Sequence, residues 1–446
     1  MEKSLDRIIK YNRLIWNFWI LMLLQNITIC IIFIFAHTHE ITIATMFKKT
    51  ALYVIIISST IFHTLAMSSS DNKSITLFTA SNNFINQLYR NLSANTDENI
   101  IISPLSLQII LTLLSHGAAE STLNELRSVL DDTEFLTGEY KALLAQLNNI
   151  NKATLYLRNA AYVQEEVDIE GDFLSVCMNI FESLISKVDF GEPSTVDIIN
   201  SWILTATNHK IRNVISAKDI DNDTRFLLLN AIYFQCAWQK MFNENDTTPR
   251  WFHDSQTSYM VPTMYKKATY FHGEIPTMHT QFIEIPYLNE NIVMVILLPY
   301  KEAELKDVEK NFNWETVVNA HRSSNHFNLY LPKFEFENTI NLNDVLNKIG
   351  LKTMFLKKSA NFTRISSDLS LSVSTVLQKV FIKFDERGSE AAGVTGVEVR
   401  LKRSAISPVD LFVDRSFMFA IEHKPTKLPL FLGSVRELRT YIKDEL

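Results

Sequence analysis

Apolar positions recur at helical spacing between residues 77 and 130, where Phe84, Ile85, Leu88, Tyr89 and Leu92 fall on one face. The run SPLSLQIILTLLSHGA adds boundary signals, with Ser103 as N-cap, Pro104 at the first helical position and Gly117 as a stop. Further along, the period changes. FLLLNAIYF (226–234), NIVMVILLP (291–299) and HFNLYLPKFEFE (326–337) alternate or run apolar as strands do. No repeat, low-complexity tract or Pro/Gly linker divides residues 77–437. Helices and strands mix without strict alternation, which predicts one large α+β domain. Length alone, at 446 residues, would suggest two or three.

Residues 389–400 carry their own pattern. Ser389, Ala391, Gly393, Thr395, Val397 and Val399 alternate with Glu390, Ala392, Val394, Gly396, Glu398 and Arg400, so every charge falls on one side. Three of the 10 glycines, Gly388, Gly393 and Gly396, lie within nine positions. Two states fit this pattern: an exposed loop, and a strand laid into a sheet. An ordinary edge strand beside a glycine-rich loop has the same periodicity.

Composition narrows the function classes. The chain is 47% hydrophobic and 21% charged, enough apolar material for a large core. A net charge of −6 without long single-sign runs argues against a nucleic-acid partner. Of 3 cysteines, Cys30 lies in an apolar N-terminal stretch, leaving Cys177 and Cys236. Neither a disulfide framework nor a cysteine zinc site is expected, and no metal or cofactor motif is present. Without a GxSxG elbow or an HExxH motif, the chain does not read as an enzyme.

The N-terminus reads as an export signal. An apolar stretch from Leu14 to Ala36 follows Lys3, Arg7, Lys10 and Arg13; a second, Ala51 to Ala66, follows Lys48 and Lys49. From Met46 the sequence resembles a complete signal peptide ending near Ala66, with residues 1–45 an extension and a membrane-anchored N-terminus the alternative. Lys443, Asp444, Glu445 and Leu446 spell the address read by the KDEL receptor. Asn72, Asn91, Asn222, Asn245 and Asn361 head glycosylation triplets. Together these predict a lumenal protein of the endoplasmic reticulum or secretory pathway, with export from the cell as a further fate.

Several separated motifs resemble the serpin family. FDERGSEAAGVTG (384–396) resembles the hinge of an inhibitory reactive-centre loop, with Glu386, Gly388, Ser389, Glu390, Ala391, Ala392 and Gly393 in the expected places. IIISPLSLQIILTLLSHGA (100–118) with Ser103 and Ser106, LLLNAIYFQCAWQKMF (227–242) with Asn230 and Trp238, and SFMFAIEHKPTKLPLFLGSV (416–435) resemble other family signatures. Gln378 stands where a vertebrate-type member has a shutter His, and His209 where a Gly is usual. The resemblance implies a fold of three β-sheets and about nine helices, in a domain over 67–442 with its loop at about 386–408. It further implies a monomeric inhibitor without cofactor that acts as a suicide substrate of serine proteases. After cleavage the loop would enter the central sheet, about 15 residues carrying the acylated protease ~50 Å.

The loop also contains Arg400, Leu401, Lys402, Arg403 and Ser404. A cut after Arg403 presents Arg-x-Lys-Arg, the pattern of a furin-like convertase, as in insect-type members retained in the endoplasmic reticulum. A trypsin-like target cut after Lys402 or Arg403 is the alternative reading. A non-inhibitory chaperone of the endoplasmic reticulum is another, disfavoured by the small hinge residues.

Overall fold

The computed structural model describes residues 77–131, 133–389 and 407–439. In chain order the strands are β1 (Ile100–Ile102), β2 (Ala153–Gln164), β3 (Leu184–Val188), β4 (Phe226–Ala237), β5 (Thr248–His253), β6 (Ser258–Ile275), β7 (Thr280–Pro286), β8 (Ile292–Pro299), β9 (Ser323–Pro332), β10 (Phe334–Asn341), β11 (Thr375–Phe384), β12 (Gly388–Ser389), β13 (Val409–Phe412), β14 (Phe417–His423) and β15 (Leu428–Val435). Nine α-helices accompany them among the described residues.

Six strands form one sheet in the order β10–β11–β4–β2–β3, with β12 against the end of β4. Its centre is a parallel pair, Thr375–Phe381 of β11 beside Leu227–Tyr233 of β4. The other nine strands pair into one network. Here β6 is shared: Thr263–His272 pair with β9, and Phe271–Ile275 pair with β7. Divided at β6, the network is two sheets, which makes three with the first.

Burial explains the apolar run in β4. Leu228, Ile232, Phe234 and Cys236 enter the large core, while Leu227, Leu229, Ala231 and Tyr233 enter a second cluster on the opposite face. A strand covered on both faces loses its polar alternation. The helix Pro104–Gly117 is likewise nearly all buried and starts as expected, with the Ser103 side chain accepting from Ser106 N.

Two expectations need correction. Residues 77–130 are not helical throughout, because Ile100, Ile101 and Ile102 form β1 against Ser434, Gly433 and Leu432. Three consecutive β-branched side chains suit extended backbone better than a helix. The tract 326–337 is not one strand either. It passes from β9 to β10, which belong to different sheets, at Pro332 and Lys333. Lys333 N still donates to Pro262 O of β6 at 2.9 Å, and the next residue, Phe334, pairs with Phe384 of β11.

Candidate functional site

The middle of the six-stranded sheet holds a buried polar node. Asn159, Asn230 and Gln378 lie on one rung across β2, β4 and β11. All three are at most 2% exposed, so their amides depend on one another for hydrogen bonds. Gln378 Nε2 donates to Asn230 Oδ1 at 2.6 Å, and Asn230 Nδ2 donates to Asn159 Oδ1 at 2.5 Å and to Ser106 Oγ. Gln378 also grips the start of the helix, accepting from Ser103 N at 2.8 Å and donating to Ser103 O at 3.0 Å. The structure thus gathers Ser103, Ser106, Asn230 and Gln378. An amide can donate to one partner and accept from another without titrating, which suits a role as a fixed bridge. Asn159 escaped the sequence reading, and its only signal was a lone amide in an otherwise strand-like tract.

At the end of the same sheet lies the hinge segment. β11 ends at Phe384, and Asp385 and Gly388 form a tight turn, N to O at 3.0 and 3.2 Å. Gly388 and Ser389 then pair antiparallel with Ala237 and Cys236 of β4. Gly388 has φ 145°, and a Cβ there would strike the Cys236 carbonyl, so this close approach requires glycine. Ser389 is fully buried, and its hydroxyl meets the Tyr287 hydroxyl at 2.8 Å. Burial holds the Tyr287 hydroxyl protonated far above its ordinary range, so it remains a hydrogen-bond donor.

Trp238 braces this turn. Its ring stacks on Tyr287 at 4.5 Å, its Nε1 donates to Asp385 O at 2.9 Å, and its backbone N donates to Arg387 O at 2.9 Å. Glu386 is buried between two anchors, accepting from Thr247 Oγ1 at 2.7 Å and pairing with Lys333 Nζ at 3.4 Å. Arg387 pairs with Glu244 at 3.3 Å. Burial raises the Cys236 thiol, which keeps it unreactive beside β12.

Other predicted residues scatter. Asn91, Asn222, Asn245 and Asn361 lie at separate places, while Asn72 is outside the described residues, as are Glu390, Ala391, Ala392, Gly393, Arg400, Leu401, Lys402, Arg403, Ser404 and Lys443–Leu446. His209 is exposed and adopts φ 62°, the left-handed conformation that explains the usual Gly. Among the described residues no helix is long and apolar enough to cross a membrane, and no His/Cys/Asp/Glu group could hold a metal ion.

Known proteins resemble this chain in sequence and fold. A serpin (serine protease inhibitor) family model matches residues 79–438. Human neuroserpin is 30% identical over 371 residues, covering 80% of this chain and 90% of neuroserpin. Iripin-4 of the tick Ixodes ricinus is 32% identical over 372 residues, covering 80% and 94%. The crystal structure of Serpin48, a highly specific serpin of the insect Tenebrio molitor, superposes with TM-score 0.75 at 28% identity, over 81% of this chain and 98% of that one. The description of the chain by what it lacks, as no enzyme, gives way to the positive one these matches supply: protease inhibition by the serpin mechanism. With the family model spanning the described fold from first helix to last strand, the chain belongs to the serpin family.

Proposed function

We propose that this serpin acts as a suicide substrate for a furin-like convertase, which attacks the Arg403–Ser404 bond. The observation that carries the reading is that Gly388 and Ser389 already form the first antiparallel rungs on β4, with Ser389 inward. Continued in that register, the loop would set Ala391 opposite Phe234, Gly393 opposite Ile232 and Thr395 opposite Asn230. These small side chains fit the buried face that Ser389 uses. Insertion would part β4 from β11 and replace one parallel pairing with two antiparallel ones, which are slightly more stable per residue. A protease acylated on Arg403 would be dragged with the loop before water could release it.

Arg400, Lys402 and Arg403 supply the charges that acidic convertase subsites would take. The C-terminal Lys443–Leu446 supports the same reading, since retention would keep the inhibitor among newly made convertases. Deleting those four residues should release the protein to the medium without changing inhibition in vitro.

The test mixes the purified protein with a furin-like and a trypsin-like protease and follows SDS-stable complex. Arg403→Ala should abolish both complexes. Arg400→Ala should slow association with the furin-like enzyme by roughly one to two orders of magnitude, the worth of a charge-assisted hydrogen bond. Against the trypsin-like enzyme it should matter little. Equal losses against both, or none against the convertase, would leave a general inhibitor of basic-specific serine proteases.

A further inference from the structure

The four glycosylation triplets within the described residues differ in what their asparagine amides do. Asn91 Nδ2 donates to Gln87 O at 2.9 Å along its own helix. Asn361 Nδ2 donates to Glu120 at 3.2 Å, while its Oδ1 accepts from Thr363. The Asn222 side chain packs against Gly191. Asn245 is different. It is exposed in a short 3-10 turn, Glu244–Asp246, and its side chain makes no hydrogen bond among the described residues. A sugar there displaces nothing.

The neighbours of Asn245 give that position a second property. Glu244 pairs with Arg387 at 3.3 Å, and Thr247 donates to Glu386 at 2.7 Å. Both flanks of the asparagine therefore hold the two residues that lead into β12. Thr247 has two parts to play: it completes the Asn245-Asp246-Thr247 triplet, and it anchors the hinge. Phe242 N also donates to Glu386 O at 2.8 Å, so the segment from Phe242 to Thr247 crosses the hinge as a strap.

We propose that Asn245 is glycosylated and that its glycan governs access of the target protease to the reactive-centre loop. In the modification, Asn245 Nδ2 forms a bond to the anomeric carbon of an oligosaccharide. The lipid diphosphate that carried the sugar leaves, and the amide gives up one proton. The resulting glycan stands on the strap beside Glu386 and Arg387, the residues that lead into β12. A large hydrated group at that point restricts the approach of a protease from the hinge side and leaves the sheet itself untouched. The access role rests on the inhibitory reading above; occupancy of the site does not.

Glycopeptide mass spectrometry on the full chain, expressed in a eukaryotic secretory pathway, decides occupancy. Association rate with the convertase is then compared for the wild type, Asn245→Gln, and wild type deglycosylated enzymatically after folding. Asn245 should carry sugar, and both sugar-free forms should associate faster by roughly two- to tenfold, within the spread of on-rates among variants of one interface. The deglycosylated wild type guards against a folding defect in the variant. An unmodified Asn245 would overturn the proposal, as would unchanged rates once the sugar is gone. If the wild type forms no complex with any serine protease, the inhibitory reading fails and takes the access role with it.

Discussion

Gln378 and Asn230 face one another across the parallel strands β11 and β4 and share a 2.6 Å hydrogen bond in the buried middle of the sheet. Any strand entering between β4 and β11 must break that bond. Gln378 also holds both backbone groups of Ser103, so the bond ties the sheet to the start of a helix.

Replacing Gln378 with Leu should therefore loosen the sheet. It orphans Ser103 N–H and Asn230 Oδ1 in the buried middle of the sheet, while Ser103 C=O keeps its bond from Leu107 N at 3.2 Å. Each such group costs about 1–3 kcal/mol, so urea unfolding should show a loss of several kcal/mol. A loss under ~1 kcal/mol, less than one orphaned group, would mean that the node relaxes onto other partners.

Gly388→Ala should undock β12. The new Cβ meets the Cys236 carbonyl in a backbone conformation that L side chains rarely adopt. Hydrogen exchange at Gly388 and Ser389 should rise toward that of an open segment, with β4 unchanged at Phe226–Tyr233. Retained protection at Ser389 would show that the rung does not depend on glycine.

Ser389→Arg should turn the inhibitor into a substrate. Ser389 is fully buried against Tyr287, and an arginine entering there must lose its hydration, at a cost of several kcal/mol. Cleaved protein should accumulate at the expense of covalent complex. An unchanged ratio of the two would place the inward face elsewhere.

Stability should depend on pH through Glu422. Burial, helped by the Glu284 carboxylate, raises its carboxyl from 4.5 to about 7, against the attraction of Arg322, Lys424 and Lys427. The folded state then holds a proton that the unfolded chain has lost, so this contribution to stability falls as pH rises from 4.5 to about 7. Neighbouring His423 works the other way: burial lowers it from 6.5 to about 4, and stability rises with pH across that window. Glu422→Gln should match the wild type near pH 4 and exceed it at pH 8 by roughly 3 kcal/mol, the worth of such a shift. A stability offset that stays constant with pH would remove Glu422 ionisation as the cause.

Local signals were legible in the sequence where one residue sets one turn of backbone. Ser103, Pro104 and Gly117 mark their helix at both ends, and the apolar run of β4 reports burial on both faces. Of the alternating tract that starts at Ser389, only Ser389 itself lies among the described residues, and it is buried. What stayed hidden depends on pairing between distant segments. Asn159 looks like any strand asparagine until the β2–β4 register sets it beside Asn230. The alternation in 326–337 runs unbroken through Pro332 and Lys333, so nothing local announces that the chain changes sheets there. Likewise, Lys333 and Glu386 are 53 positions apart in sequence, and only the fold makes them partners.

That change of sheets has a mechanical consequence. β13, where the chain returns from the loop, is paired with Phe327–Tyr330 of β9. A few residues further on, Lys333 holds Glu386, where the chain departs toward the loop. Both ends of the loop are therefore moored to the same short length of backbone, and the departing end is held as well by Thr247, by Phe242 N and by Trp238 N. A cut anywhere between residues 390 and 406 leaves both moorings in place. The half beginning at Glu386 keeps its anchor at β12 on β4, while the half ending at β13 stays paired with β9, so the two new ends have separate anchors from the moment of the cut.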